Sequence, residues 1–311
     1  MSNVKNVKFQ NYDMYWEIAA DLYFPENFDK SKRYPTIITG HPIGSCKEQT
    51  SGPIYGARLA KEGYVVIAYD ASFQGESGGL LRSIEDPTLR IEDIRHVVDY
   101  LVTLPYVDED RIGILGICGG GGYSINAPMT ERRIKVIGTV DAVNYGRLLR
   151  GNFSQLDPIG SLEKIGKQRT IEARGGSHVI NELIPPSPEA AKELGITDTD
   201  VTEATIYYKT PAGQKPNGVA RSFYSHSGAG ISWDAFHLAE VLLTQPLMCV
   251  VGDVVGAFGA YRDSCEIIER ARSSKKELVV LKGITHYDLY YKPNAVDLAL
   301  AKLIPFYKEN L

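Results

Sequence analysis

Long apolar runs and tracts of a single charge are missing from this 311-residue sequence. No stretch approaches about eighteen uninterrupted apolar residues, so neither a membrane span nor a membrane partner is predicted. Residues 1–10 are polar and contain lysines but no apolar segment, so we expect no export signal there. The 34 basic and 38 acidic side chains leave a net charge of -4, which argues against nucleic acid as a partner. We therefore expect a cytoplasmic protein.

Cysteine is also scarce. Cys46, Cys118, Cys249 and Cys265 are few for a chain of this length, and their spacing is not that of metal ligands. A disulfide framework and a zinc site are therefore not predicted, and we expect reduced thiols. The glycine-rich stretch 74–79 lacks the lysine–serine pair of a phosphate-binding loop and the three-glycine spacing of a dinucleotide site. Neither a metal nor a cofactor is predicted.

An alternation of two patterns fills most of the chain. Apolar runs of strand length alternate with segments of helical period, which predicts an α/β fold with a mostly parallel central sheet and helices on both faces. No linker rich in proline and serine divides the chain, and 43% hydrophobic residues suffice for one large core. We expect strands at residues 14–23, 35–41, 64–70, 111–115, 134–143, 247–252 and 277–282, and helices at residues 55–62, 89–104 and 293–307.

Residues 144–244 interrupt this alternation. The segment is polar, rich in glycine and proline and too long for a connecting loop, while Trp233, Phe236 and Leu242 supply apolar bulk near its end. We interpret it as an inserted, mostly helical cap between a first part of the core, residues 1–143, and a second part, residues 245–311. The apolar and aromatic residues of the cap would also suit a homodimer interface.

The motif Gly-Ile-Cys-Gly-Gly at residues 116–120 has the form of a nucleophile elbow with cysteine in the usual place of serine. At such a turn the chain leaves a buried strand and enters a helix within a few residues, so the nucleophile is strained and its neighbours must be very small. Gly116 and Gly120 meet this demand. We expect the helix N-terminus to favour the thiolate of Cys118, the species that attacks carbonyls. The alternative is a structural turn that carries a small buried cysteine.

A thiol nucleophile needs a base and a carboxylate that orients the base. His286 directly follows the last predicted strand, and we predict that it is the base rather than an ordinary surface histidine. Asp253 is the carboxylate directly at the end of the strand before it and is our first choice for the acid. Asp141 ends the next strand back along the chain, would face the same carboxyl edge of the sheet, and is the alternative acid.

Backbone N–H groups are expected to hold the oxyanion that forms when a carbonyl is attacked. One belongs to the residue after the nucleophile, Gly119. The other comes from the loop at residues 41–44, where Pro42 has no N–H and Ile43 is the natural donor. His41 is then a structural residue of this loop.

Four stretches of the sequence together resemble the α/β-hydrolase superfamily. They are the His-Pro-Ile-Gly loop with residues 47–50, the stretches 69–79 and 116–123, and Thr285-His286 with Asp288. More narrowly, the chain is similar to the dienelactone-hydrolase-like branch, which includes bacterial and fungal proteins described as polyketide transferases. The resemblance covers nearly the whole chain. It implies an α/β-hydrolase fold with an inserted cap.

The resemblance also implies roles for single residues. Cys118 matches the nucleophile, His286 the base, and Gly119 and Ile43 the oxyanion donors. The chain order of nucleophile, acid and histidine is likewise that of the superfamily.

The acid is where this chain departs from the superfamily. There the acid commonly lies about three residues past the glycine that ends its strand, a register that Val255 or Gly256 holds in this sequence. The resemblance therefore gives Asp253 little support, and the choice between Asp253 and Asp141 stays open.

The predicted activity is hydrolysis of an ester, lactone or thioester of a small, fairly apolar acid through a Cys-His-Asp triad and an acyl-enzyme. A cysteine acyl intermediate also transfers to other acceptors, so an acyltransferase of the same fold is the alternative among enzymes. A catalytically silent hydrolase-fold protein that only binds a small molecule is the alternative outside enzymes, because the register of the acid is unusual.

Overall fold

The central sheet of the computed structural model is formed by eight strands within the described residues, 3–153 and 157–311. Two further short strands pair with each other in a separate sheet. In chain order the strands are β1 Asn3–Gln10, β2 Glu17–Phe24, β3 Tyr34–Gly40, β4 Val65–Tyr69, β5 Val107–Ile117, β6 Ile134–Val140, β7 Ile180–Glu182, β8 Arg221–Phe223, β9 Leu247–Val254 and β10 Lys276–Thr285.

The strand order in the central sheet is β1-β2-β4-β3-β5-β6-β9-β10. β1 pairs antiparallel with β2, and β2 pairs antiparallel with β4. The six strands β4, β3, β5, β6, β9 and β10 run parallel to one another. Because parallel strands end at one edge of the sheet, the loops after β3, β5, β6, β9 and β10 meet there. This edge carries the candidate site.

Helices cover the sheet and fill the segment between β6 and β9. In chain order they are α1 Ala57–Lys61, α2 Pro87–Val102, α3 Gly119–Thr130, α4 Tyr145–Leu148, α5 Pro158–Ala173, α6 Pro188–Glu193, α7 Thr199–Lys209, α8 Gly228–Ser232, α9 Ala239–Leu242, α10 Ala260–Arg270, α11 Asp288–Tyr291 and α12 Pro293–Asn310. Shorter π-helical turns span Thr50–Gly56 and Leu149–Phe153, and a 3-10 turn spans Tyr224–His226. Within the described ranges, none of the helices is both long and apolar enough to cross a bilayer.

Both faces of the sheet are buried, and consecutive strand residues serve opposite faces. Ile38 packs in a cluster with residues of α2, α3 and α10, whereas its neighbour Ile37 packs in a second cluster with residues of α1 and α12. All five residues of β4 are buried for the same reason. This two-sided burial explains why the central strands are continuous apolar runs in the sequence. The predicted α/β fold with a mostly parallel sheet is confirmed.

Two elements differ from the prediction. β1 was not predicted, because it is a polar edge strand that exposes most of its side chains and so leaves no apolar run. The helix expected at residues 55–62 is in fact a π-helical turn at Thr50–Gly56 followed by α1. Pro53 lies inside that turn.

Residues 144–244, called the insert from here on, contain α4 to α9 and the β7–β8 hairpin within their described part. α7 packs on the carboxyl edge of the sheet, since Ala204, Tyr207 and Tyr208 belong to the same apolar cluster as Cys118. The start of the insert is tied to α10, because the backbone N–H of Asn144 donates to Asp263 at 2.7 Å.

Candidate active site

Cys118 lies at a strained turn between β5 and α3. Its backbone has φ 54° and ψ -125°, a conformation that is costly for a residue with a side chain. The backbone C=O of Cys118 accepts hydrogen bonds from Gly121 at 2.8 Å and Val143 at 2.9 Å, which hold the turn. A Cβ on Gly116 would lie 2.5 Å from both the Gly120 carbonyl oxygen and Ser124 Oγ. The geometry is therefore that of a nucleophile elbow, and the sequence needs glycine at that position.

The surroundings of the Cys118 thiol favour its neutral form. The side chain is only 6% exposed, and burial raises the pKa of the thiol to about 12. Hydrogen bonds from the Tyr290 hydroxyl and from the Gly119 N–H to the sulfur act in the opposite direction but are outweighed. The expectation that the helix N-terminus would make this cysteine a thiolate in the free protein is wrong, because the cost of burying the charge is larger.

His286 follows β10 and lies at the same edge. It is 4% exposed, and burial lowers the pKa of its ring to about 3, so the imidazole is neutral at neutral pH. Its Nε2 lies 3.4 Å from the Tyr290 hydroxyl. Because the same hydroxyl bonds the sulfur of Cys118, Tyr290 connects the predicted nucleophile with the predicted base.

Of the two predicted oxyanion donors, Gly119 lies beside the sulfur and Ile43 lies next to Gly119. The N–H of Gly119 faces Cys118, and a Cβ added at Gly119 would overlap the side chain of Ile43, so the two donor residues are in contact. The insert reaches the same loop, since the N–H of Ala220 donates to the Gly44 carbonyl at 2.9 Å.

A buried polar cluster holds the loop that contains Ile43. Arg90 donates to the His41 carbonyl at 2.6 Å and to His41 Nε2 at 2.8 Å, and Ala71 N–H donates to the same ring nitrogen at 3.1 Å. Nε2 is thus an acceptor, and Nδ1 is assigned the proton that it donates to the Pro42 carbonyl at 2.7 Å. Burial and the Arg90 charge hold the pKa of His41 well below its usual value. These contacts give His41 a structural role in the loop.

A small cavity at the His286 ring contains two buried carboxylates. The space is about 10 Å³, close to the smallest that holds a water. Its lining includes Asp141, which follows β6, and Asp200, which belongs to α7 of the insert. Among the described residues, Asp141 Oδ2, Asp200 Oδ1 and His286 Nδ1 have no hydrogen-bond partner although all three are buried. Three residues that line the cavity thus each keep one atom with unused hydrogen-bonding capacity.

Burial disfavours the ionised form of both carboxylates. Burial raises the pKa of Asp141 well above its usual value, and the hydrogen bond from Gly252 N–H to its Oδ1 at 3.2 Å does not compensate. Burial raises the pKa of Asp200 to about 6, against a hydrogen bond from Phe258 N–H at 2.8 Å. Asp200 is thus ionised at neutral pH.

Asp253, the first choice for the acid, does not line this cavity. Its side chain is exposed, and its Oδ1 accepts a hydrogen bond from Gly283 N–H at 2.6 Å. Gly283 lies where the register between β9 and β10 shifts, so Asp253 satisfies a backbone donor at this irregularity. The structure gives Asp253 this contact instead of one to His286 and brings the alternative, Asp141, to the cavity.

Two residues at the site were not singled out from the sequence. Tyr290 lies one helical turn after His286 on α11, and that spacing alone could have drawn attention to it. Asp200 had no sequence signal, because it is one of several carboxylates in a polar segment distant in the chain from every other site residue.

Comparison with known proteins places the chain in a family. A family model described as X-Pro dipeptidyl-peptidase (S15 family) matches residues 16–144. The uncharacterized protein YcjY of Escherichia coli (strain K12) is 41% identical over an alignment of 298 residues, which covers 94% of this chain and 94% of YcjY. The chain belongs to the YcjY family. The name of YcjY states no activity.

Two solved structures resemble this chain over nearly its whole length and identify its fold. The protein PA2218 from Pseudomonas aeruginosa superposes with a TM-score of 0.89 at 28% identity, over 100% of this chain and 94% of that one. The α/β-hydrolase GrgF from Penicillium sp. sh18 superposes with a TM-score of 0.77 at 20% identity, over 99% and 98% of the two chains. Its sequence, under the name polyketide transferase, is 22% identical over 297 residues. The fold is the α/β-hydrolase fold, with relatives among hydrolases and acyltransferases.

Proposed function

We propose that this chain is a cysteine-dependent acyl hydrolase that cleaves an ester, lactone or thioester of a small apolar acid. The observation that carries the proposal is the strained turn of Cys118, with its sulfur next to the Gly119 N–H and joined through the Tyr290 hydroxyl to His286. Such strain persists in folded proteins mainly where function needs it. Tyr208, Tyr287 and Tyr290 surround the sulfur and would suit an apolar acyl group.

The proposed reaction has two halves. Cys118 Sγ forms a bond to the carbonyl carbon while its proton passes to His286, and the carbonyl electron pair moves to oxygen, where the Gly119 and Ile43 N–H groups hold it. When the carbonyl re-forms, the alcohol or thiol leaves and takes the proton from His286. Water then gives a proton to His286, attacks the acyl thioester and releases the acid, and the proton returns to Cys118.

The timing of the first proton transfer follows from the two pKa values. A thiol with a pKa of about 12 beside an imidazole with a pKa of about 3 does not form an ion pair in the free protein. The sulfur must therefore lose its proton as it bonds to carbon. Bound substrate and the oxyanion donors supply the driving force.

Acyl transfer is the second candidate. The GrgF relative is named a polyketide transferase, and a thioester acyl-enzyme passes its acyl group readily to an alcohol or amine. The same Cys118 chemistry serves both activities, and only the acceptor of the acyl group differs.

The test measures turnover of p-nitrophenyl esters and acyl thioesters of graded chain length. We expect Cys118→Ala to lose about 10³-fold or more in kcat/KM, while Cys265→Ala, a half-buried cysteine on α10, keeps wild-type turnover. Product partition with an added alcohol or amine separates transfer from hydrolysis. Equal turnover by wild type and Cys118→Ala would show that Cys118 is not the nucleophile and refute the proposal. Binding of an apolar acid without turnover in either protein would refute it as well and show a catalytically silent protein.

A further inference from the structure

The loop after β9 has no carboxylate at the place where the fold supplies its acid. Residues 254–261 contain neither Asp nor Glu, and Val255 and Gly256 hold the expected register. Val255 is 63% exposed. The loop after β9 therefore supplies no carboxylate that could orient the His286 ring.

A carboxylate from the insert occupies this place. A Cβ added at Gly256 would overlap the carboxyl group of Asp200, so this carboxyl group fills the space that a side chain at position 256 would take. Phe258, two residues further on, donates its N–H to Asp200 Oδ2 at 2.8 Å, and its ring meets the His286 ring edge-on at 5.7 Å between centroids. Asp200 is only 2% exposed.

One unpaired carboxylate oxygen and one unpaired ring nitrogen belong to residues that line the cavity. With Oδ2 used by Phe258, Asp200 keeps Oδ1 without a partner, and His286 keeps Nδ1 without one, in a cavity that both line. The two atoms are not hydrogen-bonded to each other in this structure. Because a buried N–H and a buried oxygen that remain unpaired are costly, a small shift that pairs them would stabilise the fold.

Asp141 is engaged in a different task. Its backbone N–H donates to the Val250 carbonyl at 2.8 Å and its Oδ1 accepts from Gly252 N–H, contacts that fasten the end of β6 to β9. Its Oδ2 keeps no partner, so Asp141 is the competing carboxylate, but burial raises its pKa well above the usual value and so disfavours the ionised form that would stabilise a positive charge on His286.

We propose that Asp200, supplied by the insert, is the carboxylate that orients His286, with Oδ1 accepting from Nδ1–H so that Nε2 faces Tyr290 and Cys118. Asp200 acts through His286 and is a positioning residue. This inference rests on the proposed function for its kinetic consequence only. The insert would then complete the catalytic site as well as cover it.

Kinetics of isosteric variants test the assignment. We expect Asp200→Asn to lower kcat by about 10³-fold with little change in KM, and Asp141→Asn to cost far less. Asp198→Asn is the matched control, because Asn also caps α7 and the N-cap bond to Val201 N–H is kept. Wild-type kcat is expected to rise with pH through about 6, as Asp200 ionises, and Asp200→Asn should lose this dependence. A large loss in Asp141→Asn with wild-type behaviour of Asp200→Asn overturns the proposal.

A rescue separates positioning from mere stability. Gly256 does not have a positive φ, and Asp200→Ala empties the space beside it, so Gly256→Asp combined with Asp200→Ala returns a carboxylate to the usual register. We expect the double variant to recover at least tenfold over Asp200→Ala. If it recovers nothing although both proteins fold with equal thermal stability, Asp200 has only a structural role and the proposal fails.

A spectroscopic readout needs no substrate. The ¹⁵N shifts of the His286 ring should show a proton on Nδ1 in the wild type and in Cys118→Ala, and a changed tautomer balance in Asp200→Asn. If the proposed function fails because Cys118→Ala retains turnover, this result still decides the Asp200 assignment. An unchanged His286 signal in Asp200→Asn would overturn it.

Discussion

Tyr290 is the residue whose role differs most from what its type suggests. Most of the buried tyrosines here pack as core side chains, but the Tyr290 hydroxyl lies within hydrogen-bonding reach of both Cys118 Sγ and His286 Nε2 and donates its one proton to either of them. Its bond to the sulfur lowers the pKa of a thiol that burial otherwise raises to about 12. In a site that disfavours charge, one such hydrogen bond determines how readily the sulfur loses its proton.

Removing this hydroxyl gives the prediction at the residue scale. In Tyr290→Phe we expect iodoacetamide to alkylate Cys118 about tenfold more slowly at pH 8, since the loss of one hydrogen bond to a charged group is worth about one pKa unit. In the wild type the rate should keep rising above pH 9 without a plateau near neutrality. Mass spectrometry of the Cys118 peptide measures both, and Tyr291→Phe on the same helix is the control. Equal or faster alkylation of Tyr290→Phe contradicts the role assigned to Tyr290.

The connection from β5 to α3 shows how an element depends on the absence of side chains. Gly116 faces the first turn of α3, and Gly120 lies against the backbone of β3, where a Cβ would be 2.5 Å from the His41 carbonyl oxygen. Strand and helix can approach closely only because both residues lack a Cβ. The strained turn of Cys118 is a consequence of this approach.

Alanine at two glycines tests this view at the element scale. Gly116→Ala should lower the free energy of unfolding by about 2 kcal/mol, because its Cβ meets backbone and Ser124 atoms that cannot move away. Gly166→Ala, on the exposed face of α5 with open space around it, should raise it by about 0.5 to 1 kcal/mol. Urea unfolding measures both. The steric account fails if both variants shift stability in the same direction.

At the scale of the whole molecule, the insert is fastened to the core near both of its ends. Asp263 of α10 is fully buried and accepts from Asn144 N–H, and its Oδ1 pairs with Arg147 at 2.6 Å. Near the far end of the insert, the side chain of Asn126 on α3 donates to the Ala235 carbonyl at 3.0 Å. Contacts so distant in the chain connect the two parts of the core with the segment between them.

Breaking this connection gives the prediction for the molecule. Asp263→Ala should lower the free energy of unfolding by about 3 kcal/mol, because it leaves the Asn144 N–H without its acceptor and takes from Arg147 one of its two carboxylate partners, the other being Glu266. In a double-mutant cycle with Arg147→Ala, the second loss should be much smaller than the first. Chemical denaturation of the four proteins measures the coupling. Strictly additive losses would show that the pair does not hold the insert.

Much of the fold was readable from the sequence, because strand and helix periodicity are local. The apolar runs located the central strands, and the amphipathic pattern at residues 89–104 located α2. β1 was not predicted, because a polar edge strand buries few apolar side chains and its position depends on pairing with β2. The sequence also indicated the turn at Cys118, since the demand for glycine on both sides is a local steric rule.

Which carboxylates lie near His286 was decided by the tertiary structure alone. Asp253 lies near the end of β9 yet bonds Gly283, whereas Asp200 is far away in the sequence yet lines a cavity with His286. The ionisation of Cys118 likewise follows from burial, which overrides the local effect of a helix N-terminus. Steric rules and periodicity act between neighbours along the chain, but burial and electrostatics depend on every element that packs around a group, and those elements are known only once the chain has folded.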